Sequence, residues 1–327
     1  MTSAATMLQD TQTRRSTTSD DIEAMAQGNS TRLSISPDWQ KPDAAYGWRH
    51  TVVLFASLLG LVAAAPWLWL YVHPLTVLLV MPALGAVIYK FTILMHELAH
   101  RTLFPSAELN NKVGYACGLL LGSDFDAFRT AHWQHHKAYG VPSDPQGRDY
   151  MGLQNASRAR MTWHLLRPLL GYNLFKLASF NPAQDMVDHP TTAAPRFKRL
   201  ALVGGVQLAL AALATGFGQV WWLLPLYPIT AATFGLFFSQ IRGFCEHIAP
   251  ATGADEKFVR SHKTNLFDRM FFYTLNFNYH VEHHLYPQLP CCHLPKLQHA
   301  LIEAGKAPLI SPSIFSTIKE RLAQCPR

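Results

Sequence analysis

The chain is short of charge. Of its 327 residues only 15% are Asp, Glu, Lys or Arg, while 49% are hydrophobic; an ordinary soluble domain carries roughly 25% charged residues. The shortage is concentrated in two stretches. None of the 40 residues between Arg49 and Lys90 is charged, and none of the 42 between Arg199 and Arg242. At ~1.5 Å per helical residue each stretch is about 60 Å of helix, twice the ~30 Å thickness of a bilayer's hydrocarbon core. Each therefore holds two crossings, four in all, which excludes an ordinary soluble enzyme. Cysteine is scarce too: Cys117, Cys245, Cys291, Cys292 and Cys325 show no CxxC spacing, and an odd count gives no disulfide framework, as expected at a reducing cytosolic face. No run of Lys and Arg interleaved with aromatics accompanies the net charge of +7. The excess is read as positive-inside topology rather than as a nucleic-acid surface. Asp10, Asp20, Asp21 and Glu23 precede any apolar run, so the basic start and apolar core of a secretory signal are missing and insertion is expected to rely on the spans.

Residues 1–47 read as a disordered polar N-terminal tail, since 11 of the first 31 residues are Ser or Thr and Gly28, Asn29 and Pro37 break any helical period. A membrane domain is expected over 48–300, with spans at about 52–72, 75–95, 200–216 and 220–240, and a cytosolic C-terminal tail over 301–327. The tight turns at His73-Pro74 and Gly216–Gln219 contain no Lys or Arg, whereas Arg196, Lys198, Arg199 and Arg242 flank the opposite ends. Tails and middle region accordingly face the cytoplasm. Lys90 is expected to snorkel to the interface. Two weaker apolar stretches, Val113–Leu121 and Trp163–Phe180, look re-entrant or interfacial. Trp67, Trp69, Trp221 and Trp222 fit an outer aromatic belt.

Histidine is abundant. Eight of the 16 fall in three clusters: His96 and His100 in HELAH, His132, His135 and His136 in HWQHH, and His280, His283 and His284 in HVEHH. Helical residues at i, i+3 and i+4 share a face, so each cluster is expected to aim its imidazoles at one point. Imidazole suits iron, zinc, copper and nickel, and one tetrahedral zinc takes four ligands. Eight converging histidines suffice for two ions. The first cluster ends the second span and the others fall in cytoplasmic segments, so all three share one side of the membrane. His247, in RGFCEH just past the fourth span, joins them as a ninth candidate. Glu97, Asp144, Glu246 and Glu282 neighbour these ligands and are candidates to hold imidazole N–H groups from outside. The scattered histidines His50, His73, His164, His189, His262, His293 and His299 read as ordinary polar or interfacial residues.

The order HxxxH, HxxHH, HxxHH followed by Tyr286-Pro287, with charge-free double spans before the first motif and between the later ones, resembles the integral-membrane fatty acid desaturase superfamily over roughly residues 48–300. That resemblance implies an all-α integral membrane protein of four transmembrane helices, with a cytosolic helical cap carrying a histidine-rich dimetal site. It implies two iron ions held by His96, His100, His132, His135, His136, His247, His280, His283 and His284, with O2 as co-substrate. SDPQ after the second motif and the RxxxEH form at His247 resemble a bacterial branch, placing the protein in an inner membrane. No HPGG sequence marks a fused cytochrome b5 domain, so a separate donor is expected, such as a ferredoxin or a cytochrome b5-like protein with its reductase. The substrate is expected to be lipid-like, with desaturation preferred over hydroxylation of a lipid, carotenoid or other small molecule.

Two other classes compete. HELAH also matches HExxH, in which two histidines bind zinc and the glutamate is the general base of a protease; HWQHH and HVEHH are then unexplained. A non-enzymatic metal carrier needs polar groups near mid-bilayer, and the charge-free stretches offer only Ser, Thr, Gln207 and Tyr. Cys291-Cys292 beside His293 reads as a buried pair rather than a metal site. Phe271, Phe272 and Tyr273 before the third motif fit a substrate tunnel or plain core packing.

Overall fold

In a computed structural model, residues 33–147, 150–172, 193–215, 225–249 and 258–326 are described. The sequence-based expectations for the start of the tail, the 216–219 turn, Trp221 and Trp222, His189 and the end of Trp163–Phe180 lie outside them. After a short 3-10 turn at Pro37–Gln40, helix α1 runs Ala44–Tyr71 and α2 runs Val77–His100. Asp43 starts α1 by accepting a hydrogen bond from the Tyr46 N–H at 3.0 Å, which satisfies one of the donors a helix N-terminus leaves over. Pro66 and Pro82 sit inside these helices, as bilayer-spanning helices tolerate when neighbours pack around the kink.

Both helices exceed the predicted spans toward the histidines. Helix α2 continues past residue 95 through HELAH without interruption and stops at Arg101, whose left-handed φ of 61° closes its last turn. Among the described residues, the segments Pro37–Tyr71 and Pro74–His100 are long and apolar enough to cross a membrane. Large apolar side chains stand exposed along them, including Val52 (57%), Leu75 (64%) and Leu79 (76%). Water disfavours such a surface and lipid accepts it.

Helix α3 (Ala107–Leu121) is capped by Ser106, and α4 (Phe125–Ala138) by Asp124. The Val113–Leu121 run is thus the latter part of a 15-residue helix. Helix α5 runs Arg158–Leu166, and α6 runs Ala193–Thr215, starting seven residues before the third expected span; its apolar part is Gly204–Leu213. The fourth stretch is not one continuous α-helix where it is described. Helix α7 (Leu226–Thr230) passes through a π turn at Ala231–Gly235 into α8 (Leu236–His247). The π turn lies against α2, where a Cβ added at Gly85 would fall 2.3 Å from Phe234 Cβ. Only glycine allows this approach.

The rest is short helix: α9 (Leu266–Phe271), α10 (His280–Leu285), α11 (Leu294–Glu303) and α12 (Ile314–Gln324). Lys90 is held by the carbonyls of Arg269 and Met270 at the end of α9, at 2.9 and 2.8 Å. Residues after 300, set apart by the sequence as a tail, pack into the body. Ile310–Ser311 pairs in parallel with Ser261–His262. A Ser313–Ser316 capping box starts α12, and buried Arg321 donates to the Gln154 carbonyl at 2.9 Å.

Candidate metal centre

The nine histidines converge, but not cluster by cluster. Donor nitrogens of His96, His100, His132, His136 and His283 lie within 4.8 Å of one another, and those of His135, His247, His280 and His284 form a second such group. Helical geometry explains the division. Successive residues turn ~100°, so i and i+4 point about 40° apart while i+3 points about 100° away from i+4. In each HxxHH motif the i, i+4 pair therefore serves one group and the i+3 histidine the other. Helix α4 sends His132 and His136 to the group of five and His135 to the group of four; α10 sends His280 and His284 to the group of four and His283 back to the group of five. The expectation that each motif serves a single point is corrected on this ground.

Within the group of five the Nε2 atoms of His100 and His132 are 2.7 Å apart, those of His132 and His136 2.9 Å, and those of His136 and His100 3.2 Å. Three mutually close ring nitrogens cannot all hydrogen-bond along their lone pairs. Donors about 2.1 Å from one ion and at right angles to each other stand about 3.0 Å apart, which matches these edges. In the group of four, His280 Nε2 is 3.0 Å from His247 Nε2 and 3.1 Å from His284 Nε2. Burial holds His132, His136, His247, His280, His283 and His284 well below the ordinary histidine pKa. They are neutral near pH 7, the state in which imidazole offers a lone pair.

Two carboxylates fix ring orientation. Glu97 Oε1 lies 2.9 Å from His96 Nδ1, and Asp144 Oδ1 lies 2.9 Å from His135 Nδ1. A proton held at Nδ1 leaves Nε2 as an acceptor, and in both rings that Nε2 is buried without a protein partner. Glu246 behaves differently. Its Oε2 pairs with Arg242 and lies 3.3 Å from His280 Nε2, on the donor side of that ring, and burial pushes its carboxyl up to about 8. Glu282 touches none of the rings. Two residues beyond His280 and one before His283, it leaves α10 on the opposite side, where Ser261 Oγ and Gln298 Nε2 each donate to it at 2.6 Å. Its expected part in holding an imidazole is corrected accordingly.

The model of the fatty acid desaturase family matches residues 73–312. The chain belongs to this family. Similar curated members include the sphingolipid delta(4)-desaturase/C4-monooxygenase of Bos taurus, 26% identical over 271 residues covering 78% of this chain and 73% of the relative. The sphingolipid delta(4)-desaturase of Xenopus tropicalis is 25% identical, covering 80% and 76%. An endoplasmic-reticulum omega-3 fatty acid desaturase of Vigna radiata var. radiata is 23% identical, covering 65% and 61%. As a member of the fatty acid desaturase family the protein is an oxidoreductase, which sets the carrier reading aside. The protease reading has no support in the geometry either: Glu97 is turned to His96 Nδ1 and toward Thr102 Oγ1 at 3.5 Å, away from the histidine donors it would have to serve as a base.

Several residues of this desaturase-family centre are invisible in the motifs. Tyr150 donates to Asp144, and Phe258 offers its carbonyl 3.3 Å from His247 Nδ1. Ser261 and Gln298 hold Glu282. Arg242, read as a topology-setting charge, pairs with Glu246 and lies 4.6 Å from the Phe277 ring centre; its i, i+4 spacing to Glu246 was the available signal. Of the proposed tunnel residues, Phe271 stacks on Phe238, while the Tyr273 hydroxyl lies 3.0 Å from His262 Nδ1. His262, read as an ordinary polar residue, is buried and also reaches Thr317 Oγ1 at 3.1 Å. The Cys291 thiol is buried beside Glu97.

Proposed function

We propose that this protein is a multi-pass membrane oxidoreductase that uses O2 and two electrons to desaturate the acyl chain of a lipid. In this reading one iron is held by His96, His100, His132, His136 and His283, and a second by His135, His247, His280 and His284. Glu97 and Asp144 orient His96 and His135. The observation that carries the reading is the packing of the His100, His132 and His136 donor nitrogens 2.7–3.2 Å apart, together with membership of a desaturase family. The membrane domain covers 48–300 with four spans near 52–72, 75–95, 200–216 and 220–240. Its histidine-bearing helical cap faces the cytoplasm of a bacterial inner membrane, and the ends, 1–47 and 301–327, lie on the same side.

When bound, the iron pair supplies the O2-derived oxidant that unactivated C–H bonds require, a task beyond side-chain acids and bases. The chain's residues do the rest. They bury the rings, keep them neutral and exclude water, with Phe277 set edge-on to His96 at 4.5 Å. For each –CH2–CH2– unit converted to –CH=CH–, one O2, two electrons and two protons are consumed and two waters are released. The electrons come from a separate carrier, a ferredoxin or a cytochrome b5-like protein with its reductase. Hydroxylation by the same site is the second reading, favoured by relatives whose names join desaturase with C4-monooxygenase. Mass spectrometry of lipids from cells expressing the protein, against a His283→Ala control, tests both. A species lighter by two hydrogens supports desaturation; one heavier by one oxygen supports hydroxylation; identical profiles overturn both.

A further inference from the structure

The group of four has two members that stand apart from its HVEHH pair. His247 belongs to no cluster, and His135 is turned away from its own motif neighbours. Tyr150 bears on both. It is fully buried in the segment after α4. Its hydroxyl accepts from the Gly140 N–H at 2.8 Å and donates to Asp144 Oδ2, while Asp144 Oδ1 takes His135 Nδ1 at 2.9 Å and the Gln146 N–H at 2.9 Å. Its ring stacks on His247 at 5.0 Å between centres, 25° from parallel.

We propose that Tyr150 is a positioning residue for the group of four: its hydroxyl locks the Asp144 carboxylate that orients His135, and its ring sets the plane of His247. The proposal rests on the reading of the nine histidines as holders of two ions, and extends it to a residue outside every motif. A carboxylate free to rotate no longer dictates which nitrogen of His135 carries the proton, and an unstacked His247 is no longer held in plane. The group of five has its own orienting carboxylate, Glu97, so the effect of losing Tyr150 is one-sided. Outer partners of this kind change metal affinity by about 10–100-fold.

The test uses the full chain, purified in detergent and loaded with iron, as wild type, Tyr150→Phe, Asp144→Asn and the double variant. Phenylalanine keeps the ring and its packing, so this variant isolates the hydroxyl. Iron per chain and the rate of extraction by a ferrous chelator are read out, with Mössbauer spectra to distinguish the two sites. Wild type is expected to hold two irons. In Tyr150→Phe and in Asp144→Asn one iron is extracted at least tenfold faster while the other is unchanged. The double variant is no worse than the more affected single one, because both act through one link. Glu97→Gln is expected to loosen the opposite iron. Unchanged extraction in Tyr150→Phe, or equal loosening of both irons, overturns the proposal. A wild type that binds no iron pair overturns the reading beneath it, and the two failures are thereby told apart.

Discussion

At the scale of single residues, the division of the histidines makes different substitutions fail in different ways. His283→Ala removes a donor from the group of five and His135→Ala one from the group of four. Each is expected to abolish turnover while leaving membrane insertion intact, measured by product formation alongside the yield of membrane-extracted protein. Retained turnover in both would sink the two-iron assignment. His262 supplies a separate test away from the metal groups. Burial lowers its pKa to about 3, whereas the unfolded value is about 6.5. Below pH 6.5 the unfolded chain binds a proton that the folded chain refuses, so stability falls as pH falls, by up to about 1.4 kcal/mol per pH unit for this group. His262→Asn, which cannot take up that proton, is expected to show a shallower fall in Tm between pH 6.5 and 5. Parallel profiles would mean that His262 is not buried in its neutral form.

At the scale of elements, the centre depends on how closely helices approach. Where α3 meets the start of α4, a Cβ at Gly114 would lie 2.2 Å from the Phe125 ring. Gly114→Ala is therefore expected to cost about 1–3 kcal/mol by overpacking and to lower Tm. Adding Phe125→Leu should recover part of the loss, and no recovery would place the strain elsewhere. Elements were also where the sequence was most and least legible. Uninterrupted apolar runs made α1 and α2 visible, and i, i+3, i+4 spacing made the histidine faces visible. The same spacing did not show that α4 and α10 divide their donors, because that depends on which partner helix each side of the face meets. Nor could it show Tyr150 or Ser261, whose roles arise from contacts with residues distant in the fold and carry no period. The last segment lies beyond residue 300, where the sequence resemblance ends. What anchors it is a two-residue strand pairing and a buried arginine, and neither leaves a pattern in sequence.

At the scale of the whole molecule, the proposed topology decides which side of the membrane the centre opens to. A single cysteine introduced at His73, in a variant whose native cysteines are replaced, is expected to react with a membrane-impermeant maleimide added to intact cells. One introduced at exposed Lys319 is expected to react only after the membrane is opened. The reverse pattern would invert the topology and put the histidines on the outer face.

The two groups also share a dependence on the end of the chain. Each includes donors from both α4 and α10, 144 positions apart between His136 and His280, so neither set is complete before α10 exists. During synthesis on the ribosome, a nascent chain that has already threaded its first two helices into the bilayer still carries an open-ended set of imidazoles. The dependence is unequal: the group of five lacks only His283 before α10 is made, whereas the group of four has only His135 and His247, so a ribosome stalled before residue 280 leaves the group of four with half its donors.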